Sequence, residues 1–352
     1  MRDLAICIPA YNRVESLIEL LATVTEQLDD NNSSRIQICV SDDSSPNNLE
    51  EPTKSFMNNY KVEYIYHRNA ENLGADRNFL KSAEISNAKY CWLMGDDDGI
   101  PPGKLNTVLE YIDNNPDINV FFGNRYVCNK KLKPKLKEEW TKGENILKEK
   151  RDYIVDFTND DEIKKYFDQL NSTTCLGFLS VLIVKKEKWD SVTEEMYLPY
   201  IKTIYIQVAK YLLMLYKKDK LYRITDYIAL SRFGNDNFYG TLKQRIFMDL
   251  YGFLQLSHIF DDNELLKDSF FGIVRRHFNN IFLNAMSYTA ELNEDEINVL
   301  KKIGYSPKQI AIFEKRSKFK AFCGFGAAVI KAIFTDFRWF YKTCFVTLQK
   351  VK

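Results

Sequence analysis

Short apolar runs alternate with helix-periodic stretches through about the first 125 residues. Residues 4–8, 36–40, 62–66, 90–94 and 118–122 are dominated by Ile, Val, Leu, Cys and aromatic side chains and read as strands. Between them, Val14, Leu17, Leu21, Val24 and Leu28 recur at helical spacing and predict a helix over 14–28. Residues 75–88 predict a second helix. A third spans 102–112 and starts on Pro102, where a missing N–H does no harm. Strand–helix alternation at this pitch predicts an α/β fold with a mainly parallel sheet and helices on both faces.

The pattern breaks over 129–151, where Lys and Glu interleave without period, as expected of a solvated excursion. Order returns with a helix at 160–170, a strand-like run at 178–184, a helix at 197–216 and one or two short strands within 221–230. A turn, Gly234-Asn235-Asp236-Asn237, then opens a helical remainder: 242–260, 264–288, and 294–303 after the capping residue Asn293. This places a domain boundary near residue 235.

Charge and cysteine usage narrow the classes. A net charge of +1 carries no electrostatic footprint of a nucleic-acid binder. Seven cysteines without a CxxC pair give no disulfide framework, which points to a reducing compartment. The 4–8 run meets Pro9 too early for a signal peptide, and no 18-residue apolar segment predicts a membrane span. The last stretch, 315–352, differs: nine Lys or Arg face one acid, Asp336, with Phe322, Trp339 and Tyr341 among its many aromatics. That mixture fits a peripheral contact with an anionic membrane, and equally a helix that packs on the domain.

The chemistry gathers at the carboxyl ends of the predicted strands, where open α/β sheets bind ligands. Past the first strand stand Pro9, Tyr11, Asn12 and Arg13, with Tyr11 a candidate to stack on a base. Past the second come Asp42 and Asp43, which can accept hydrogen bonds from ribose or base, or simply cap a turn. Asn72 and Gly74 lead into the helix that begins near Ala75, whose first turn holds Arg77, suited to a phosphate or base carbonyl. Past the fourth strand, Gly95 is followed by Asp96, Asp97 and Asp98. Three adjacent carboxylates repel one another unless solvated or shared with a cation, so the run is a candidate site for Mn²⁺ or Mg²⁺ holding a phosphorylated ligand. His67, His258 and His277 are scattered and fit core or surface roles.

In order, PAYNR, SDDSS, ENLGADRN and MGDDD resemble the nucleotide-sugar half of family 2 glycosyltransferases of the GT-A fold, closest in flavour to the abequosyltransferase-like branch. The resemblance covers about residues 3–125 and extends weakly through 175–180. It implies transfer of a sugar from a nucleotide-diphosphate donor to a hydroxyl of a glycan or lipid-linked acceptor in bacterial surface polysaccharide synthesis. It also implies a GT-A domain over 1–235 (nucleotide-sugar half 1–125, acceptor half 126–235) followed by helical 236–352. The expected location is the cytoplasm, with peripheral contact to the inner face of the membrane.

By position, Pro9 and Tyr11 would frame the base, with Asn12 and Arg13 beside them. Asp42, Asp43, Asn72, Gly74 and Arg77 would contact the nucleotide. Asp96 to Asp98 would form the metal motif, with Asp98 and Asp96 as ligands and Asp96 and Asp97 near the ribose. The family pattern carries an acid where Gly95 stands, so the division of labour among the three stays open. Inverting members use an acid as general base, often in a Glu-Asp pair; no such pair lies between 171 and 235, and Asp190, Glu194 and Glu195 are the available acids. Two alternatives remain: a sugar nucleotidyltransferase, disfavoured by the lack of a glycine-rich loop after the first strand, and a catalytically degenerate nucleotide-sugar-binding subunit.

Overall fold

A computed structural model describes residues 1–137, 151–233, 241–287 and 291–312. The 315–352 stretch, the 234–237 turn and most of the 129–151 excursion lie outside those residues. Two compact units divide the chain, Met1–Leu170 with Thr174–Asp236, and Asn171–Thr173 with Asn237–Lys352.

The first unit is a nine-stranded sheet. Its strands are β1 (Arg2–Ala10), β2 (Ile36–Asp42), β3 (Glu63–Arg68), β4 (Ala88–Leu93), β5 (Val120–Cys128), β6 (Pro134–Lys137), β7 (Tyr153–Asp156), β8 (Leu182–Lys185) and β9 (Lys220–Arg232). They lie in the order β3-β2-β1-β4-β8-β5-β9-β7, with β6 paired to β5. The half β3-β2-β1-β4 is parallel throughout. Beyond it the sheet is mixed: β8 runs antiparallel between β4 and β5, and β5 runs parallel to β9. β1 and β2 are buried along nearly their whole length, which is why their sequences read as unbroken apolar runs rather than alternating ones. Helices α1 (Val14–Thr25), α2 (Glu50–Met57), α3 (Ala75–Glu84) and α4 (Lys104–Asn114) cross between these strands. α1 buries Leu17, Leu20, Leu21 and Val24 on one stripe.

Later elements depart from the periodicity in instructive places. The helix expected over 197–216 starts only at Ile206, as α6 (Ile206–Leu215); α5 is Asp160–Gln169. Ahead of α6, Lys202 and Ile204 adopt positive φ of 74° and 61°. The buried Asp76 carboxylate accepts the N–H groups of Ile204 and Ile206 at 3.1 and 3.4 Å, so side-chain capture replaces helix there. The expected strand at 178–184 opens as a 3-10 turn, Leu179–Val181, before β8. The region read as one or two short strands is a single strand, β9.

In the second unit, α7 (Leu242–Leu256), α8 (Glu264–His277), α9 (Asn280–Ser287) and α10 (Glu294–Ile303) are the longer helices of the described residues. Capping boxes at Thr241/Gln244 and Asn293/Glu296 start α7 and α10. The helix expected over 264–288 breaks at Phe278, whose side chain is buried and whose carbonyl accepts the Tyr305 hydroxyl at 2.9 Å.

Candidate active site at the carboxyl edge of the sheet

Strand register sets the site. β1 pairs Ala10 with Asp42 of β2 and Cys7 with Leu93 of β4, so all three strands end at one edge. The loops 11–13, 42–45 and 95–98 therefore lie side by side. Asn12 and Ser44 both take positive φ, 58° and 57°. The Asn12 N–H donates to Ser45 Oγ at 2.9 Å, which pins the first loop to the second.

The acidic run is the electrostatic centre. Asp96 accepts the Tyr11 N–H at 3.1 Å on Oδ2 and Arg13 Nη1 at 2.8 Å on Oδ1. The same nitrogen stands 3.2 Å from Asp97 Oδ2, so one guanidinium bridges two carboxylates. Asp98 turns the other way: Ser180 Oγ donates to its Oδ2 and the Arg232 N–H donates to Oδ1 at 3.1 Å. Burial first, and repulsion from Asp97 second, push the Asp98 carboxyl up to about 7. Burial likewise raises Asp96 to about 6, against the pull of Arg13. Burial opposes the charge on Arg13, yet Asp96 and Asp97 outweigh it and hold the guanidinium above its ordinary pKa.

Gly95 permits this arrangement. A Cβ there would meet Asp98 Oδ2 at 3.3 Å and Ser180 Oγ at 3.5 Å, so a larger residue would press on the oxygens that hold Asp98. Its own N–H donates to Ser180 Oγ at 2.9 Å.

Asp42 and Asp43 share the edge but are fully engaged by protein. Asp42, with no exposed surface, accepts Ser45 N–H at 2.9 Å, the Tyr66 hydroxyl at 2.8 Å and Arg68 Nη1 at 2.7 Å. Asp43 accepts the N–H groups of Leu73 and Gly74 at 2.8 and 3.0 Å, together with Asn69 Nδ2 at 2.9 Å. Asn72 Nδ2 donates to the Asp43 carbonyl at 3.2 Å. Gly74, at φ 80°, then turns the chain into α3.

The three acids considered as a base part company. Glu194 meets Arg77 at 3.3 Å, both side chains being exposed, at 59% and 44%. Glu195 is exposed beside it. Asp190 pairs with Lys186 at 2.6 Å and lines a cavity of about 530 Å³ with Met1, Asp3, Lys89 and Tyr90, at the strand starts. The structure does not bring it to the acidic run.

Ser180, Arg232 and Asn78 also hold the loops: Arg232 escaped the sequence reading, while Asn78 and Ser180 lay within its motifs without a role. Asn78 Nδ2 donates to the Ser41 carbonyl at 3.1 Å while its Oδ1 accepts Ser41 Oγ at 2.7 Å. Its place within ENLGADRN was the available signal. Ser180 reaches Asp98 from the 3-10 turn before β8 and Arg232 from distant β9, for which no local pattern exists.

Comparison with known proteins decides the family. Residues 5–172 match the family described as Glycosyl transferase family 2. The abequosyltransferase RfbV of Salmonella typhimurium is 32% identical over 282 residues, 76% of this chain and 78% of that protein. The chain belongs to glycosyl transferase family 2.

This family 2 glycosyltransferase also shares its fold with distant solved structures. S. aureus TarS 1–349 in complex with UDP-GlcNAc gives a TM-score of 0.60 at 16% identity, covering 89% of this chain and 84% of that one. The mannosyltransferase PcManGT from Pyrobaculum calidifontis, in complex with GDP-Man and Mn²⁺, gives 0.56 at 10% identity, covering 99% and 86%. At such identities the likeness speaks for the GT-A fold alone. The five cysteines among the described residues that are free are all buried, and no helix there is long and apolar enough to cross a membrane.

Proposed function

We propose that this enzyme moves a sugar from a nucleotide-diphosphate donor to a hydroxyl of a glycan or lipid-linked acceptor in surface polysaccharide synthesis, with Mn²⁺ or Mg²⁺ assisting. The observation that carries this reading is the convergence of Tyr11, Arg13, Asp96 and Asp97 where parallel β1 and β4 end. The name of RfbV supports transfer of abequose or a sugar like it. The donors in the TarS and PcManGT complexes support a nucleoside diphosphate carrier.

Two carboxylates of the run offer hard oxygens to a divalent cation, and since no group of three or more metal-ligating side chains gathers among the described residues, such a cation would take its other ligands from the donor and water. Asp97 and Asp96 would hold it. Asp98, turned to Ser180 and Arg232, would fix the loop instead. When bound, the metal supplies stabilisation of the charge that builds on the leaving diphosphate. Tyr11, 43% exposed, offers its ring to the base. Arg77, on the first turn of α3, offers a guanidinium to phosphate or base. Asp42 and Asp43 act through the loops they hold, and so do Pro9, Asn12, Asn72 and Gly74. Glu194 is the candidate base, because Arg77 ties it to the rim of the donor loops. Peripheral membrane contact through 315–352 is a further part of the reading, resting on composition.

The test is donor turnover. UDP-, CDP- and GDP-sugars are incubated with the enzyme and lipid-linked glycans, with and without Mn²⁺, and nucleoside diphosphate release is measured. Metal-dependent release with one base is expected. Release of pyrophosphate from a sugar phosphate and a nucleoside triphosphate instead would move the protein to the nucleotidyltransferases.

A further inference from the structure

Helix α6 is buried nearly all round, and it carries a lysine. Lys210 is 5% exposed, and its ammonium has no hydrogen-bond acceptor or ion-pair partner among the described residues. What surrounds it is aromatic: Nζ stands 4.7 Å from the Trp189 ring centroid and 4.9 Å from that of Tyr197. A methionine would fill the same space without burying a charge, so packing alone does not call for the ammonium. Departures from the rules of core building gather at functional or strained places.

The two rings belong to different pieces of chain. Trp189, 1% exposed, lies on the short helix Lys186–Ser191 and is part of the core. Tyr197 closes the helical turn Glu194–Tyr197, in which no residue is buried. Lys210 thus reaches from a fixed helix, past a fixed indole, to a surface turn with little packing of its own. An ammonium over a ring face attracts it, most strongly where water is excluded. Burial first, and then the charge of Glu194, raise the Tyr197 phenol against the pull of Arg77. The ring that meets Lys210 therefore also lies in the field of the Glu194–Arg77 pair. Downstream, Asp76 clamps Ile204 and Ile206; Lys210 is the clamp on the upstream side.

The charged and titratable groups around Lys210 are Asp190 and Lys186 of the short helix and the Cys91 thiol of β4. Burial first lowers the ammonium to about 8, Asp190 opposing and Lys186 adding to the shift. Below that pH the amine is charged and attracts the rings; above it the attraction is lost.

We propose that Lys210 is a positioning residue: its ammonium, set against Trp189 and Tyr197, fixes the turn Glu194–Tyr197 and so holds Glu194 in place beside Arg77. This rests on the reading of Glu194 as general base and adds what keeps that base in position.

The test separates the tether from the base. Turnover of the full chain is followed as nucleoside diphosphate release with the donor selected by the UDP-, CDP- and GDP-sugar incubations, and hydrogen exchange is read over residues 193–198. Lys210→Met should lower kcat about tenfold, leave donor KM within about twofold, and speed exchange over that stretch about tenfold. Tyr197→Leu should do the same, and Tyr197→Phe, which keeps a ring, should recover most of the loss. Wild-type kcat should fall as pH rises through about 8, and Lys210→Met should lack that limb. Circular dichroism checks the fold, and the Tyr197 pair carries the test if Lys210→Met does not fold. Unchanged kcat in Lys210→Met or Tyr197→Leu, with Glu194→Gln inactive, would overturn the Lys210 role and leave Glu194 as the base. So would equal losses in Tyr197→Phe and Tyr197→Leu. Unchanged exchange over 193–198 in Lys210→Met would overturn the tether whatever the donor. Full turnover in Glu194→Gln would overturn both the base and its positioning.

Discussion

Two acidic loops stand at the same sheet edge and are held differently. The 42–43 loop is satisfied: Asp42 and Asp43 between them accept backbone N–H groups, the Tyr66 hydroxyl, Asn69 and Arg68, and both are buried. In the 96–98 loop one guanidinium, Arg13, bridges Asp96 and Asp97 while Asp98 accepts from Ser180 and Arg232, and burial raises Asp96 and Asp98 toward neutrality. Residue type and strand position do not separate them. The number of donors each loop recruits from its own fold does. Acids that a fold holds with many donors are fixed in place, while acids raised by burial stand to gain from an added cation.

The sharpest way to break the comparison is Asp97→Asn. Removing that partly exposed charge should lower kcat by about 1000-fold, about 4 kcal/mol of barrier, with the circular dichroism spectrum unchanged. Near-normal turnover in that variant would dissolve the contrast. Asp42→Ala should act in the other currency. Loss of a buried carboxylate that pairs with Arg68 should destabilise the fold by about 3 kcal/mol in urea unfolding, while turnover per folded molecule falls far less.

Asp98→Asn sharpens the picture within the acidic run. The native carboxyl stands at about 7, against about 3.9 for an aspartate in an unfolded chain. The native state thus holds the proton more tightly. Its contribution to stability is fully present below about pH 4 and is lost as pH rises through 7. An asparagine keeps an acceptor for the Arg232 N–H and cannot ionise. The variant should match wild type at pH 4 and exceed it by up to about 4 kcal/mol at pH 8 in urea unfolding. A variant weaker at pH 8 would show that Asp98 is stabilising as an anion. The smallest expected effect is Tyr11→Ala, which should weaken donor binding by about 1 kcal/mol, roughly fivefold, without moving the thermal midpoint.

Legibility in the sequence followed the physics of burial. β1, β2 and β4 were plain because strands covered on both faces are apolar throughout, and their ends delivered Tyr11, Arg13, Asp42 and Asp96 to one edge as expected. What motif order could not convey was partnership. Nothing near Asp98 signals that Ser180 and Arg232 will claim its oxygens, because those contacts depend on antiparallel β8 and on β9, more than 80 residues away. Glu194 and Asp190 look alike on a charged stretch, yet one pairs with Arg77 and the other lies at the opposite ends of the strands. The start of α6 was hidden for a similar reason, since the acid that captures residues 202–206 sits on α3.

That last contact couples two parts of the enzyme that an engineer would wish to change separately. Asp76 and Arg77 are neighbours on one helical turn. One clamps the strained segment around Ile204, and the other, paired with Glu194, is the proposed nucleotide contact. Grafting a relative's helix to alter nucleotide choice would also release that segment unless the aspartate travels with it, so the two pieces should be transplanted as a single cassette.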